Sequence, residues 1–308
     1  MKAFIVAAGT LGSTTAFVLA QKNICSEIVL YDVFAPLAAH HAMDIGQSVC
    51  ALSPTKIRAG TYADLAGSDI VIVAAGLSAS QFTGDFVADA AQLVPMLQEL
   101  SDAVNTHAPD AKVIIMTNPV DVVCAVFQKI SQLPAKHIIG FSYNDTIRMK
   151  WALGAHYGIS PGQIDAVVMG EHGPTKVQIF SQVKLANADA NMTEADIASV
   201  QKLIGEFWEA FNNTGINRTA GWTSATSVCE MVDRIAGVKS TSIPCSCALD
   251  GVYGQDGIYA GVPAYLGRDG IERIEQISLN AKEAEAFALS CQEIQANTQR
   301  VLGIAGLS

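Results

Sequence analysis

Three side chains in the middle of the chain are suited to proton transfer and to carboxylate binding: Asp145, Arg148 and His172. Asp145 and Arg148 are three positions apart, so on a helix they share one face and point into one cleft. A histidine beside a buried carboxylate has its tautomer fixed and its imidazolium stabilised, which suits proton exchange with an alcohol or ketone. A planar guanidinium binds a carboxylate through two parallel hydrogen bonds. These residue types are therefore suited to proton exchange with an alcohol or ketone and to binding a carboxylate.

A second set of residues, near the N-terminus, is typical of a loop that holds a dinucleotide. The first apolar run leads into Ala7-Ala8-Gly9-Thr10-Leu11-Gly12, the G-x-G-x-x-G pattern with alanine at the first glycine. Gly9 lets the backbone approach a pyrophosphate, and Gly12 lets the following helix pack closely on the strand. Asp32 lies 20 positions after Gly12, where a carboxylate accepts hydrogen bonds from ribose hydroxyls and repels a 2′-phosphate. The pattern therefore favours binding of NAD over NADP. The alternative is that the glycine segment only caps a helix and that Asp32 is an ordinary surface residue.

The elements that position these residues alternate short apolar runs with longer amphipathic segments. Six runs are predicted as buried strands: residues 3–7, 28–31, 56–59, 70–74, 113–116 and 137–139. Strands that alternate with helical crossovers predict a doubly wound parallel Rossmann sheet of the α/β class. Such a sheet binds ligands beyond the carboxyl ends of its strands.

The pattern changes after about Phe141, where longer helical segments and less regular strands follow. Strands are predicted at residues 164–169, 177–185, 240–249 and 258–266, and helices near 194–212, 223–235 and 281–301. This mixture predicts an α+β catalytic domain. We therefore expect an NAD-binding domain over residues 1–141 and a catalytic or substrate domain over residues 142–308.

The composition excludes several classes of partner. Of the 308 residues, 50% are hydrophobic and 16% are charged, which is enough apolar material for a large core. The formal net charge of -10 has the wrong sign for holding nucleic acid or anionic lipid. No run reaches the roughly 18 apolar residues of a membrane span, and Gly9 and Gly12 interrupt the signal-like stretch 3–20. Seven cysteines without metal or redox spacing predict reduced thiols, no bound metal and a cytoplasmic location.

Three short segments carry a resemblance to a known family: Thr117-Asn118-Pro119-Val120-Asp121, Asp145-Thr146-Ile147-Arg148 and Gly170-Glu171-His172-Gly173. In this order they resemble the L-lactate and malate dehydrogenase family, and the resemblance extends from the glycine loop to the closing helix. It implies hydride transfer between NAD and C2 of an L-2-hydroxy acid. It also implies a homodimer or a homotetramer.

The resemblance gives each matching position an expected role. His172 is expected to donate and accept the proton, with Asp145 orienting it. Arg148 is expected to bind the carboxylate of a 2-oxo or 2-hydroxy acid, and Asn118 to contact both substrate and cofactor. The residues expected to contact NAD are Gly9, Thr10, Leu11, Gly12, Asp32, Ala75, Gly76 and Asn118.

The chain departs from this family in the loop after the fourth strand. Family members usually carry an arginine there, which closes over the substrate and polarises the reacting carbonyl. From Ala59 to Ala111 this chain has neither lysine nor arginine. Loss of one such donor costs on the order of 10² to 10³ in turnover unless Gln81, Ser80 or Thr83 donates instead. The loss also removes a partner for a second substrate carboxylate, so we expect a monocarboxylate.

Two further features concern the substrate side chain. Thr83-Gly84-Asp85-Phe86 is similar to the corresponding loop of L-2-hydroxyisocaproate dehydrogenases, although those also keep an arginine beside it. Ala220 and Gly221 lie where the family sets specificity, and their small size suits either a bulkier substrate or ordinary helix packing. Asp85 and Asp89 are alternatively suited to a cationic substrate group.

Several alternatives stay open at this level. One alternative is that the chain is a lactate or malate dehydrogenase proper. Without a loop cation, it is also compatible with a catalytically weakened NAD-binding sensor or scaffold. Asp145 and Arg148 then form an ordinary helix ion pair, and His172 lies in a turn.

Overall fold

The computed structural model describes residues 1–77, 81, 83–216 and 220–307. In the first half, strands and helices alternate: β1 (Lys2–Val6), α1 (Thr10–Gln21), β2 (Glu27–Tyr31), α2 (Ala35–Val49), β3 (Lys56–Ala59), β4 (Ile70–Val73), α3 (Phe86–His107), β5 (Lys112–Ile115), α4 (Val120–Ile130) and β6 (Ile138–Phe141). The second half contains α5 (Tyr143–Tyr157), β7 (Ile164–Asp165), β8 (Val168–Met169), β9 (Val177–Gln178), β10 (Lys184–Leu185), β11 (Ala188–Asp189), α6 (Glu194–Asn213), α7 (Gly221–Ile235), β12 (Ile243–Val252), β13 (Gln255–Gly267), β14 (Gly270–Ile274) and α8 (Ala281–Ile304).

The main sheet has the strand order β14-β13-β12-β6-β5-β4-β1-β2-β3. The pairing from β6 through β3 is parallel throughout. β4 is buried along its whole length, as expected for a strand covered by helices on both faces. The strand order reverses between β1 and β4, so the loops after these two strands open at one crevice. This arrangement confirms the predicted Rossmann sheet.

Strands from the second half extend the same sheet in antiparallel fashion. β12 pairs with β6, where Cys245 lies opposite Phe141 and Ser246 lies opposite Gly140. Glycine is needed at position 140 because a Cβ there would overlap the side chain of Ser246. β13 pairs with β12, and β14 pairs with β13. The second half is thus mixed α and β, as predicted, and its domain boundary stays a prediction because both halves share one sheet.

The single strand predicted over residues 164–169 is wrong. β7 pairs with β10 and β8 pairs with β9, so the chain changes sheets between β7 and β8. One cause is that the amide of Val168 donates to the hydroxyl of Thr146 at 3.1 Å, which draws β8 towards α5. β8 then leads into Gly170, whose φ of 82° suits glycine and which bridges to Gly261 in β13. This change of direction brings the next residues to the main sheet.

The signal-like stretch near the N-terminus forms β1 and most of α1. Both elements contribute buried residues to the core. Within residues 1–77, 81, 83–216 and 220–307, no helix combines the length and the apolar composition that crossing a membrane requires.

Candidate active site

The side chains of Asp145, Arg148 and His172 meet at the start of α5. Asp145 lies in the first turn of this helix, and its Oδ1 accepts a hydrogen bond of 3.1 Å from Nη1 of Arg148. His172 lies in the loop after β8, with its Nδ1 2.6 Å from Oδ2 of Asp145. Arg148 and His172 therefore bond different oxygens of this carboxylate, and the Asp145 side chain is only 4% exposed. The structure brings together the three residues that the sequence predicts to share a cleft.

The surrounding charges keep Asp145 ionised. Burial by itself raises its pKa, but the His172 imidazolium, together with two further cations, lowers the pKa to about 2. These cations are Arg148 and Lys176, whose Nζ lies 3.6 Å from Oδ1 of Asp145. A permanently charged carboxylate holds a proton on Nδ1 of His172, which leaves Nε2 on the other side of the ring without a partner in this pair. Sequence reasoning does not find Lys176, because its contact depends on the turn that follows His172.

A second buried carboxylate, Asp121, fixes the backbone of His172. Its Oδ2 accepts the amide hydrogen of His172 at 2.7 Å, and its Oδ1 accepts the hydroxyl of Ser246 at 2.5 Å. Burial raises the pKa of Asp121 to about 6, although both hydrogen bonds act in the opposite direction. In the sequence, Asp121 stands out only as part of a short motif. No local pattern indicates Ser246, which is 125 positions away.

Helix α8 holds the loop that carries His172. The amide of Glu171 donates to Oγ of Ser290 at 2.8 Å. The Glu171 carboxylate accepts the hydroxyl of Thr175 at 2.6 Å and its amide at 3.1 Å. A Cβ at Gly170 would crowd Ser290, so glycine is needed where the loop passes this helix. These contacts orient the loop before a ligand binds.

Arg148 lines a cavity of about 250 Å³ between α5, α6 and the start of α7, here called the arginine cavity. Its Cζ lies 4.5 Å from the ring centroid of Trp208, and its side chain is 11% exposed. This stacking and the hydrogen bond to Asp145 hold the planar guanidinium in one orientation. Ala220, a predicted substrate residue, lines the same cavity. The other lining residues, which are largely aromatic, are Ile147, Trp151, Phe207, Phe211, Trp222 and Thr223.

His172 lines a separate cavity of about 400 Å³, here called the histidine cavity. Asn118, in the loop between β5 and α4, lines the same cavity, so this predicted residue shares a cavity with His172. The start of α3 and one face of α8 form the other walls. From α8 the cavity is lined by Glu293, Asn297, Arg300 and Val301. Sequence reasoning does not find these helical residues, because their position depends on how α8 packs.

The loop after β1 forms a surface that fits a dinucleotide. Asp32 accepts the amide hydrogen of Ala8 at 2.7 Å, and its other oxygen accepts a second backbone amide at 2.9 Å. A Cβ at Gly12 would overlap the carbonyl oxygen of Ala7, whereas the Cβ position at Gly9 faces open space. The accessible backbone at Gly9 and the α1 N-terminus, which has no side-chain cap, suit a pyrophosphate.

The remaining predicted cofactor residues lie on the same edge of the sheet. Thr10 and Leu11 form the first turn of α1. Ala75 and Gly76 follow β4, across the crevice from this turn. The hydroxyl of Thr117 donates to the carbonyl oxygen of Ala75 at 2.6 Å, which ties together the loops after β4 and β5. Gly76 is exposed and has open space at its Cβ position. These residues can therefore contribute to one continuous cofactor surface.

Family models match both halves of the chain. Residues 1–140 match the lactate/malate dehydrogenase NAD binding domain, and residues 144–303 match the lactate/malate dehydrogenase alpha/beta C-terminal domain. The chain belongs to the lactate/malate dehydrogenase family. It is accordingly an NAD-dependent 2-hydroxyacid dehydrogenase.

Relatives of this dehydrogenase carry both family names. Malate dehydrogenase of Pelagibacter ubique is 30% identical to it over 96% of this chain and 95% of the relative. An L-lactate dehydrogenase of Clostridium botulinum is also 30% identical, and 98% of each chain is covered. The Cryptosporidium parvum lactate dehydrogenase complexed with lactic acid and NAD has a TM-score of 0.91, with 26% identity and 97% of each chain covered.

The loop after β4 is where this dehydrogenase departs from the family pattern. Ser80 lies outside the described residues. Gln81 is exposed and lines neither the histidine cavity nor the arginine cavity, so its predicted contact with substrate stays a prediction. The hydroxyl of Thr83 donates to Oδ1 of Asp89 at 2.7 Å. Thr83 is therefore a structural donor in this loop rather than a replacement for the family arginine.

The two acidic residues considered for a cationic substrate have structural roles. Asp85 caps α3, where its carboxylate accepts the amides of Val87 at 2.9 Å and Ala88 at 3.3 Å. Asp89 is buried, and it accepts the amides of Thr83 at 3.0 Å and Gly84 at 3.3 Å. Because these carboxylates are committed to the backbone, the structure disfavours their use for a substrate cation.

The small residues at the start of α7 have different environments. A Cβ at Gly221 would lie 3.1 Å from the side chain of Thr10, so glycine permits α7 to pack against α1. Ala220 instead lines the arginine cavity. The packing interpretation therefore accounts for Gly221, while Ala220 shares a cavity with Arg148 and its contact with substrate stays a prediction.

Proposed function

We propose that this dehydrogenase interconverts L-2-hydroxy and 2-oxo monocarboxylic acids, with His172 as the proton donor and acceptor. The observation that carries the proposal is the 2.6 Å contact of His172 with Asp145, whose other oxygen bonds Arg148 at 3.1 Å. One buried anion thus orients both a proton donor and a carboxylate-binding group. This arrangement suits a substrate whose reacting oxygen lies one carbon away from a carboxylate.

Each side chain has a defined part in the reduction. Arg148 binds the C1 carboxylate through paired N–H groups. When bound, the nicotinamide supplies a hydride to C2, and NADH becomes NAD⁺. His172 gives the proton on Nε2 to the carbonyl oxygen, which becomes the hydroxyl, while Asp145 holds the hydrogen on Nδ1 and orients the ring. In the oxidation, neutral His172 accepts the hydroxyl proton instead.

The charges in the histidine cavity favour a substrate with one carboxylate. Asp85, Glu171 and Glu293 contribute three carboxylates to its described lining, whereas Arg300 contributes one permanent cation. A second carboxylate on the substrate therefore encounters a net negative environment. The aromatic lining of the arginine cavity also favours apolar over charged substrate groups.

A panel of 2-oxo acids tests this substrate class. We expect kcat/KM for pyruvate, 2-oxoisocaproate or phenylpyruvate to exceed that for oxaloacetate by about tenfold or more, equivalent to at least about 1.4 kcal/mol. The measurement follows NADH absorbance with purified protein. Preference for oxaloacetate contradicts the monocarboxylate proposal and favours a malate dehydrogenase. If no 2-oxo acid of the panel causes NADH oxidation while NADH binding is intact, the sensor or scaffold alternative is favoured.

We also propose a cytoplasmic homodimer or homotetramer. Large apolar side chains are exposed at Val33, Phe34 and Met43, on and just before α2, and at Trp222 on α7. Exposed apolar groups of this kind are suited to contacts between subunits. All seven cysteines are free, which fits a reducing compartment. Light scattering that returns the 32.4 kDa of a single chain contradicts the oligomer.

A further inference from the structure

Reduction of a carbonyl places negative charge on its oxygen in the transition state. A donor aimed at this oxygen is worth about 10² to 10³ in turnover. The segment from Ala59 to Ala111 contains no lysine or arginine that could serve. The hydroxyl of Thr83 is committed to Asp89 at 2.7 Å. A cation that stabilises this oxygen would therefore come from outside this segment of the chain.

The last helix brings a cation to the histidine cavity. Glu293, Asn297 and Arg300 are spaced by four and three positions along α8, so they lie on one face of the helix. This face and His172 line the same cavity of about 400 Å³. Among the described residues that line this cavity, Arg300 is the sole lysine or arginine.

The guanidinium of Arg300 is weakly engaged. In the described parts of the chain, its one hydrogen bond is a long contact of 3.5 Å from Nη1 to Oδ1 of Asn297, and it forms no ion pair. The nearby carboxylates instead have local donors. Glu171 accepts from Thr175 at 2.6 Å, and Glu293 accepts from Nδ2 of Asn297 at 3.0 Å. Arg300 therefore keeps N–H groups and a positive charge for a ligand in the cavity.

We propose that Arg300 supplies, from α8, the cation that stabilises the reacting oxygen of the substrate. The inference rests on the proposed function, in which His172 protonates that same oxygen. Binding of a second substrate carboxylate is the less favourable use of Arg300, because the described lining of the cavity has three carboxylates and one permanent cation. A fork of N–H donors on a long side chain can approach the oxygen beside Nε2 of His172. The role predicted for the loop arginine of the family is thus carried by a helix.

Replacement of Arg300 with alanine tests this role with little cost to the helix, since alanine has the highest helix propensity. We expect Arg300→Ala to lower kcat with 2-oxoisocaproate or pyruvate by about 10² to 10³-fold, with an unchanged NADH dissociation constant. Added guanidinium chloride, below denaturing concentrations, is expected to restore at least about a tenth of the lost turnover. The matched control is Lys282→Gln, which removes an exposed cation from the same helix, 3.4 Å from Glu194. This control is expected to keep wild-type turnover and to show no response to guanidinium.

Four outcomes separate this inference from the function on which it rests. Wild-type turnover in Arg300→Ala overturns the role of Arg300, as does a loss that guanidinium does not restore. The role of Arg300 is also overturned if Arg218→Ala loses turnover that guanidinium restores while Arg300→Ala keeps wild-type turnover. Arg218 lies outside the described residues. Inactivity of the wild-type protein towards every 2-oxo acid, with NADH binding intact, overturns the proposed function itself.

Discussion

Replacing His172 with asparagine is expected to lower the turnover number with a 2-oxo acid by about 10² to 10⁴-fold. Asparagine fills part of the same space beside Asp145, but its amide does not exchange a proton with the reacting oxygen. NADH affinity, measured by fluorescence, is expected to stay unchanged, because the glycine loop and Asp32 are untouched. Asp145→Asn is also expected to reduce turnover, because an amide in place of the carboxylate no longer fixes the tautomer of His172.

The chain offers a matched control for this prediction. Nε2 of His156, on α5, lies 2.8 Å from Oδ1 of Asp196, so it forms a second histidine–aspartate pair. His156 lines neither the histidine cavity nor the arginine cavity. His156→Asn is therefore expected to keep wild-type turnover. Retention of turnover in His172→Asn, or an equal loss in both variants, contradicts the assignment of His172.

The pKa of Asp145 defines the pH range over which its carboxylate stays charged beside His172. Because folding lowers the pKa of Asp145 to about 2, its carboxylate stays charged throughout the neutral range. Its contribution to stability is present above the ordinary aspartate pKa, near 3.9, and is lost as the pH falls towards 2. Any change of activity between pH 5 and 9 therefore reflects groups other than Asp145.

Replacing Arg148 with glutamine is expected to raise KM for the 2-oxo acid by about 10²-fold or more. Each hydrogen bond to a charged group is worth about 1.5 to 3 kcal/mol, so loss of a bidentate pair costs at least about 3 kcal/mol. Arg148→Lys is expected to recover part of this loss, because it keeps the charge but not the planar fork stacked on Trp208. Steady-state kinetics with varied 2-oxo acid gives the comparison.

The control for Arg148 removes a cation that lies outside the arginine cavity and the histidine cavity. Lys202 is exposed on α6, 3.7 Å from Glu206, and Lys202→Gln is expected to leave KM unchanged. Thermal unfolding of each variant separates loss of binding from loss of folding, because Arg148 also balances the buried Asp145. A wild-type KM in well-folded Arg148→Gln contradicts the carboxylate-binding role.

The Rossmann sheet is predictable from sequence because its strands are short apolar runs covered on both faces. The glycine loop is predictable for a local reason as well. Ala7 adopts φ of 75°, the region that glycine favours, although it replaces the first glycine of the pattern. The loop thus keeps its backbone geometry despite the substitution. The strand predicted over residues 164–169 fails for the opposite reason, since its two ends pair with strands that lie in different sheets.

The site shows the same division between local and long-range information. Asp145 and Arg148 are predictable as partners because helix geometry fixes their separation. Asp121 and Ser246 are not, because their contact forms only when β12 joins the sheet next to β6. Arg300 has no local signal either, and its place beside His172 depends on the packing of α8.

Analysis of the reaction product distinguishes an L-2-hydroxyacid dehydrogenase from the alternatives. Wild-type protein is incubated with a reactive 2-oxo acid and NADH that carries deuterium at the transferable position, and the product is separated on a chiral column. We expect one L-2-hydroxy acid for each NADH oxidised, with deuterium at C2 of the product. The D-enantiomer, a product without label at C2, or NADH oxidation without a 2-hydroxy acid contradicts this expectation.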